Sequence, residues 1–179
     1  MDQLAVLNGT ASDRFSGRLD LQRIGVFGHS FGRATALEEC HLDSRCKAAL
    51  DIDGSPFGNV IGAGLKQPAM FIMHDGFKPG CDSCEPDSRD VDAILRESTA
   101  GGYQVVLKGT QHMNFRDLAM LFAPVMRPLG LTGPIDGRRG LRITGDYTLA
   151  FFDHVLNGAD EPLLRGPSPA YPEATIVSR

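Results

Sequence analysis

The chain has 179 residues, of which 42% are hydrophobic and 22% charged, and its formal net charge is -4. That length and balance suit one domain, residues 1–179, with a sizeable core, and its scattered basic residues argue against nucleic acid as a partner. No run of about 18 apolar residues predicts a transmembrane helix, and MDQLAVLNGTASD lacks the charged and apolar regions of a signal peptide, so the compartment is left open.

Taken in chain order, residues 2–8 form a short helix candidate, residues 23–28 (RIGVFG) read as the first strand, and a helix runs from 31 to about 41. A second strand covers 48–53 (AALDID). After a turn-rich connection comes a third at 69–74 (AMFIMH), whose continuous apolar run suits burial on both faces. The helical spacing of 89–100 is followed by a fourth strand at 103–108, by a helix over 114–129 interrupted at Pro124, and by a helix of roughly 141–156 stopped by Gly158. The tail PLLRGPSPAYPEA reads as irregular. This alternation predicts an α/β fold with a mainly parallel sheet of about four strands and flanking helices.

The stretch VFGHSFG sets Ser30 between Gly28 and Gly32, after an apolar strand and before a helix. A serine hydroxyl is protonated at neutral pH and needs an accessible position and a base within hydrogen-bond reach. A tight strand-to-helix turn supplies the access, and the helix start presents the Phe31 amide to a developing oxyanion. Among five histidines, His29 sits beside the serine facing away, His41 and His154 fall late in helices, and His74 ends an apolar strand as a core or rim residue. His112, reached through the short loop GTQH after the last parallel strand, is the best-placed base. The chain order serine, acid, histidine leaves Asp51, Asp53, Asp75 and Asp82 in the required interval. Asp53 closes the second strand, Asp75 follows the third, and Asp51 lies deeper.

Those segments, GRLDLQRIGVFGHSFG, KAALDIDGSPFG, GTQHMNFRDLAM, GPIDG and AFFDHVLNG, resemble the plasma-type platelet-activating-factor acetylhydrolases and their bacterial esterase relatives among the α/β-hydrolases. The resemblance implies Ser30 as nucleophile, His112 as base and Asp53 as acid, with Asp75 and Asp51 as alternatives. It implies hydrolysis of short-acyl or lipid-like carboxylic esters with no cofactor or metal. It also implies a partial fold, the C-terminal part of an α/β-hydrolase, missing upstream strands and the loop amide that completes the oxyanion hole. One lost oxyanion donor costs about 3 to 4 kcal/mol of transition-state stabilisation. The strand edge left at RIGVFG is expected to favour self-association into a homo-oligomer. Arg33 stands where that family has a second glycine after the serine.

Two further segments carry expectations. LAMLFAPVMRPLGL, residues 118–131, reads first as core packing and alternatively as an acyl-binding wall (Leu118, Leu121, Phe122) or a lipid-surface contact. CDSC, residues 81–84, reads as loop thiols or a local disulfide, since Cys40 and Cys46 have the wrong spacing to complete a zinc site with it.

Overall fold

The computed structural model describes residues 1–78 and 86–179, without the side chains of residues 33, 34, 86 and 87. The thiols of CDSC and the packing of Arg33 lie outside that description, as does Asp82. Helix α1 (Asp2–Gly9) precedes strand β1 (Ile24–His29), α2 (Phe31–Leu42), β2 (Cys46–Ile52), the single turn α3 (Val60–Ala63), β3 (Ala69–His74), α4 (Pro86–Glu97) and β4 (Gly102–Leu107). A 3-10 turn, His112–Phe115, then leads into α5 (Asp117–Met126), the long α6 (Gly137–Asn157) and a last strand β5 (Ala174–Ser178).

The sheet runs β1-β2-β3-β4-β5, with β1 to β4 parallel and β5 antiparallel to β4. Stepping in one direction through right-handed crossovers puts the crossover helices on one face. Leu37, Cys40, Val60, Val91 and Ile94 pack there against Ala49, Phe71 and Met73. Alternate residues of the same strands, Leu50, Ile52, Met70, Ile72, Val105 and Leu107, meet Ile143, Tyr147 and Phe151 of α6 on the other. One long helix thus supplies most of the second layer. Among the described residues, no helix is long and apolar enough to cross a membrane.

Three differences from the sequence reading have physical causes. The sheet has five strands rather than four, because ATIVS beyond the proline-rich tail adds to β4. That tail is tied down before it: Arg139 of α6 donates to both carboxylate oxygens of Glu173 at 3.0 Å and lies over the Tyr171 ring. The helix expected over 114–129 divides into the 3-10 turn and α5, with a break at Phe122 (φ -120°) two residues before Pro124. Finally, Cys40 in the last turns of α2 and Cys46 at the start of β2 are joined by a disulfide, their Cα atoms 5.1 Å apart.

Candidate active site

Four adjacent strands deliver their carboxyl ends to one rim. Register pairs His29 with Ile52, Ile52 with Ile72, and His74 with Leu107, so the residues just past β1 and β2 and at the end of β3 come level with the loop after β4. Functional groups of open parallel sheets gather at that rim. Ser30 occupies the turn into α2 with φ 57° and ψ -126°, a conformation that side-chain-bearing residues rarely adopt. Its amide is held by the Ile52 carbonyl at 3.1 Å. Phe31 is the first residue of α2, where a backbone N–H has no partner within the helix.

Ser30 Oγ lies 3.1 Å from His112 Nε2, and His112 Nδ1 lies 2.8 Å from Asp53 Oδ2. With Asp53 ionised, the imidazole proton sits on Nδ1, which leaves Nε2 to accept the serine hydroxyl proton. The Asp53 side chain is 2% exposed, and its backbone has φ 47°. Burial works against its charge, but donation from the His74 and His112 rings and the His74 amide outweighs it, and the carboxyl is held below its ordinary range.

The loop carrying His112 is braced on several sides. Asn114, buried in the 3-10 turn, accepts the Gln111 amide through Oδ1 at 2.7 Å, and the Gly133 amide on the same oxygen at 2.7 Å. A Cβ on Gly133 would fall 2.2 Å from the Gly109 carbonyl oxygen, so the two loops approach as closely as glycine permits. Asp75 accepts the Gly109 amide at 2.8 Å, and its own amide donates to Thr110 Oγ1 at 3.2 Å. Its carboxylate therefore fastens the loop that carries His112. Asp51 lies fully buried within β2.

His74, expected as a core or rim residue, lies on this rim, and so does His29, expected to face away. His74 donates through Nδ1 to Asp53 Oδ1 at 2.6 Å and through its amide to the same oxygen at 2.8 Å. His29 does not face away: its ring stacks on His112 with centroids 4.7 Å apart. Arg116 Nε donates to His29 Nδ1 at 3.3 Å, which leaves the proton on His29 Nε2 to donate to the His112 carbonyl at 3.3 Å. Burial first, and then the neighbouring His112, hold the His29 pKa below its ordinary value, so the ring is neutral at pH 7. Only the position of His74 at a strand end, adjacent in the sheet to Asp53, signalled its place, and adjacency of strands is not written in a single sequence.

Ser30, Asp53 and His112 open on a cavity of about 840 Å³ whose wall includes Phe31, Phe57, Phe77, Met73 and His74. Phe31 and Phe57 form an exposed aromatic pair with centroids 5.7 Å apart. Leu118, Leu121 and Phe122 do not line the cavity; they lie on α5 and point largely to solvent. Core packing, the first reading of 118–131, holds for Ala119 and Met126 but not for the helix as a whole.

The chain is 28% identical over 169 residues to a probable 1-alkyl-2-acetylglycerophosphocholine esterase of Arthroderma benhamiae, covering 87% of this chain and 43% of that protein. It is 27% identical over 146 residues to the platelet-activating factor acetylhydrolase of Cavia porcellus, covering 80% of this chain and 32% of that one. It thus spans less than half the length of these relatives. A ferulic acid esterase from Streptomyces cinnamoneus superposes with a TM-score of 0.79 at 29% identity, over 98% of this chain and 53% of the other. The family model for platelet-activating factor acetylhydrolase, isoform II, matches residues 4–161, and with a mainly parallel sheet flanked by helices the chain belongs to that family of α/β-hydrolases.

Proposed function

We propose that the chain is a serine carboxylic-ester hydrolase in which Ser30 is the nucleophile, His112 the general base and Asp53 the acid that orients it. The observation that carries this reading is the unbroken relay of contacts from Ser30 Oγ to His112 Nε2 at 3.1 Å and from His112 Nδ1 to Asp53 at 2.8 Å. Ser30 Oγ attacks the ester carbonyl as His112 takes its proton, and Asp53 balances the imidazolium that forms. The Phe31 amide donates to the tetrahedral oxyanion. His112 then gives its proton to the leaving alcohol, and water admitted to the same base releases the acyl group and regenerates Ser30.

The substrates proposed are short-acyl or lipid-like esters. The names of the relatives, an acetylglycerophosphocholine esterase and acetylhydrolases, support the acyl class, and an open cavity walled by Phe31, Phe57, Phe77 and Met73 suits an apolar group beside the ester. The apolar outer face of α5, with Leu121 63% and Val125 63% exposed, supports peripheral contact with a lipid surface. Purified protein mixed with p-nitrophenyl acetate is expected to release a burst of p-nitrophenolate that Ser30→Ala abolishes. A burst that survives that change overturns the assignment of the nucleophile.

A second reading, a catalytically silent scaffold that associates with itself, is favoured by one observation: among the described residues, β1 pairs within the sheet only with β2, and it carries Phe27, 62% exposed. Absence of any Ser30-dependent burst, together with concentration-dependent association, selects it.

A further inference from the structure

We propose that His74 is a positioning residue for this hydrolysis, fixing the Asp53 carboxylate so that the acid serves two imidazoles, one on each oxygen. The inference rests on the reading of Ser30, His112 and Asp53 as the reacting set. Asp53 is buried on a backbone turn with positive φ, and an ionised carboxylate in that position needs several donors. Three reach it. His112 supplies one, to Oδ2, while His74 supplies two, to Oδ1, from its ring and its own amide.

Two donors from one residue converging on one oxygen define the plane of the carboxylate. Rotation about the Cβ–Cγ bond of Asp53 would break both contacts to Oδ1, so Oδ2 stays turned to His112 Nδ1. The arrangement follows from the sheet: β2 and β3 are neighbours, and the chain leaves β3 at the level where Asp53 leaves β2. The ring is the removable part of the grip, because the backbone amide survives any substitution at position 74.

The ring also shares the charge. Donation to Oδ1 draws carboxylate charge away from Oδ2 and limits how strongly Asp53 favours the His112 imidazolium. The charged and titratable groups around His74 among the described residues are Asp53 on β2, His112 beyond it on the loop after β4, and Asp75 next in its own chain, whose carboxylate is turned to the Gly109 amide. The contacts of His74 contribute more than that of His112 to holding the Asp53 carboxyl below its ordinary range, which fits a carboxylate gripped mainly from that side.

The test compares hydrolysis of p-nitrophenyl acetate across pH by the unsubstituted chain, His74→Ala and His74→Asn, the last placing an amide N–H where Nδ1 was. The alanine change is expected to lower kcat by about tenfold to a hundredfold with KM altered by less than about twofold. It should also move the acid limb of the kcat profile to higher pH, because His112 then has Oδ2 undiminished. The asparagine change is expected to return both quantities most of the way to the starting values. Should His74→Ala unfold the chain, His74→Gln, whose amide is displaced from the Nδ1 position, carries the loss.

If the unsubstituted chain hydrolyses the ester and neither variant changes kcat or the acid limb, His74 does not position Asp53. A change confined to KM would make it a substrate contact and overturns the inference equally. If the unsubstituted chain shows no Ser30-dependent hydrolysis, the catalytic reading fails by itself. The positioning claim is then judged by the NMR resonance of the His112 Nδ1 proton, which donates to Asp53 Oδ2 and should shift in His74→Ala and return in His74→Asn; its constancy would overturn the claim.

Discussion

Ser30 and Asp53 are the two residues other than glycine with positive φ among those described, at 57° and 47°. Each such conformation costs on the order of 1 to 3 kcal/mol, and both side chains meet the His112 imidazole. Strain at Ser30 predicts that Ser30→Gly is more stable to denaturant than Ser30→Ala, with an unfolding free energy higher by about 1 kcal/mol once the extra backbone freedom of glycine is counted. At Asp53, replacement by asparagine is expected to lower kcat by about ten thousandfold through the wrong imidazole tautomer, as loss of a triad acid does elsewhere. Asp75→Asn should cost far less, because its carboxylate holds the Gly109 amide and not the His112 ring. Asp53 also predicts an acid dependence of stability. Its folded pKa lies below the ordinary value of 3.8, so its contribution is complete above that value and is lost as pH falls below it through the depressed pKa. Urea titrations from pH 5 downward should show a shallower loss of stability in Asp53→Asn than in the unsubstituted chain. Sequence legibility at this scale was uneven. The turn at Ser30 was legible because a tight strand-to-helix turn demands glycines at fixed offsets. His74 was not, since a histidine ending an apolar run looks the same whether it meets solvent or a carboxylate on the next strand.

At the scale of elements, α5 is the segment whose surroundings overturned its composition. A run as apolar as LAMLFAPVM invites burial, yet only Ala119 and Met126 are inside, while Leu121, Phe122 and Val125 are more than half exposed. The kink at Phe122 and the close approach of Gly137 to the Ala119 carbonyl, where a Cβ would sit 2.6 Å from the oxygen, fix which side of α5 meets α6. The outward side is an apolar patch beside the loop that carries His112. Binding to neutral liposomes, read by co-sedimentation, is expected to fall several-fold when Leu121 and Phe122 are changed to glutamate, with hydrolysis of a soluble ester little changed. Loss of soluble-ester activity to the same extent would assign those side chains to the substrate site instead. The disulfide between Cys40 and Cys46 belongs to this scale too. It ties the end of α2 to the start of β2 across a short connection, and the spacing of six residues by itself did not announce it.

For the molecule as a whole, the sheet order explains both what is complete and what is open. The monotonic order from β1 to β5 brings Ser30, Asp53, His74 and the His112 loop to consecutive positions on one rim, so the relay needs no residue from outside these four strands. β5 closes one edge in antiparallel fashion, while among the described residues β1 has a neighbour in the sheet on one side only. Phe27, on that edge strand, is 62% exposed and edge-on to Phe152 of α6 at 6.2 Å. Light scattering at increasing concentration is expected to show association of this chain, reduced by Phe27→Lys; a monodisperse monomer throughout would remove the edge as an interaction surface.

Strand and helix periodicity, the glycine-flanked serine, and the order of serine, aspartate and histidine are local or ordinal properties, and they were readable because each depends on neighbours in the chain. Which carboxylate reaches His112, which second histidine grips that carboxylate, and which face of α5 is bare depend on strands brought side by side. Those outcomes are decided by register and by crossover handedness, which pack residues as distant in sequence as 30, 53, 74 and 112 into one hydrogen-bonded group.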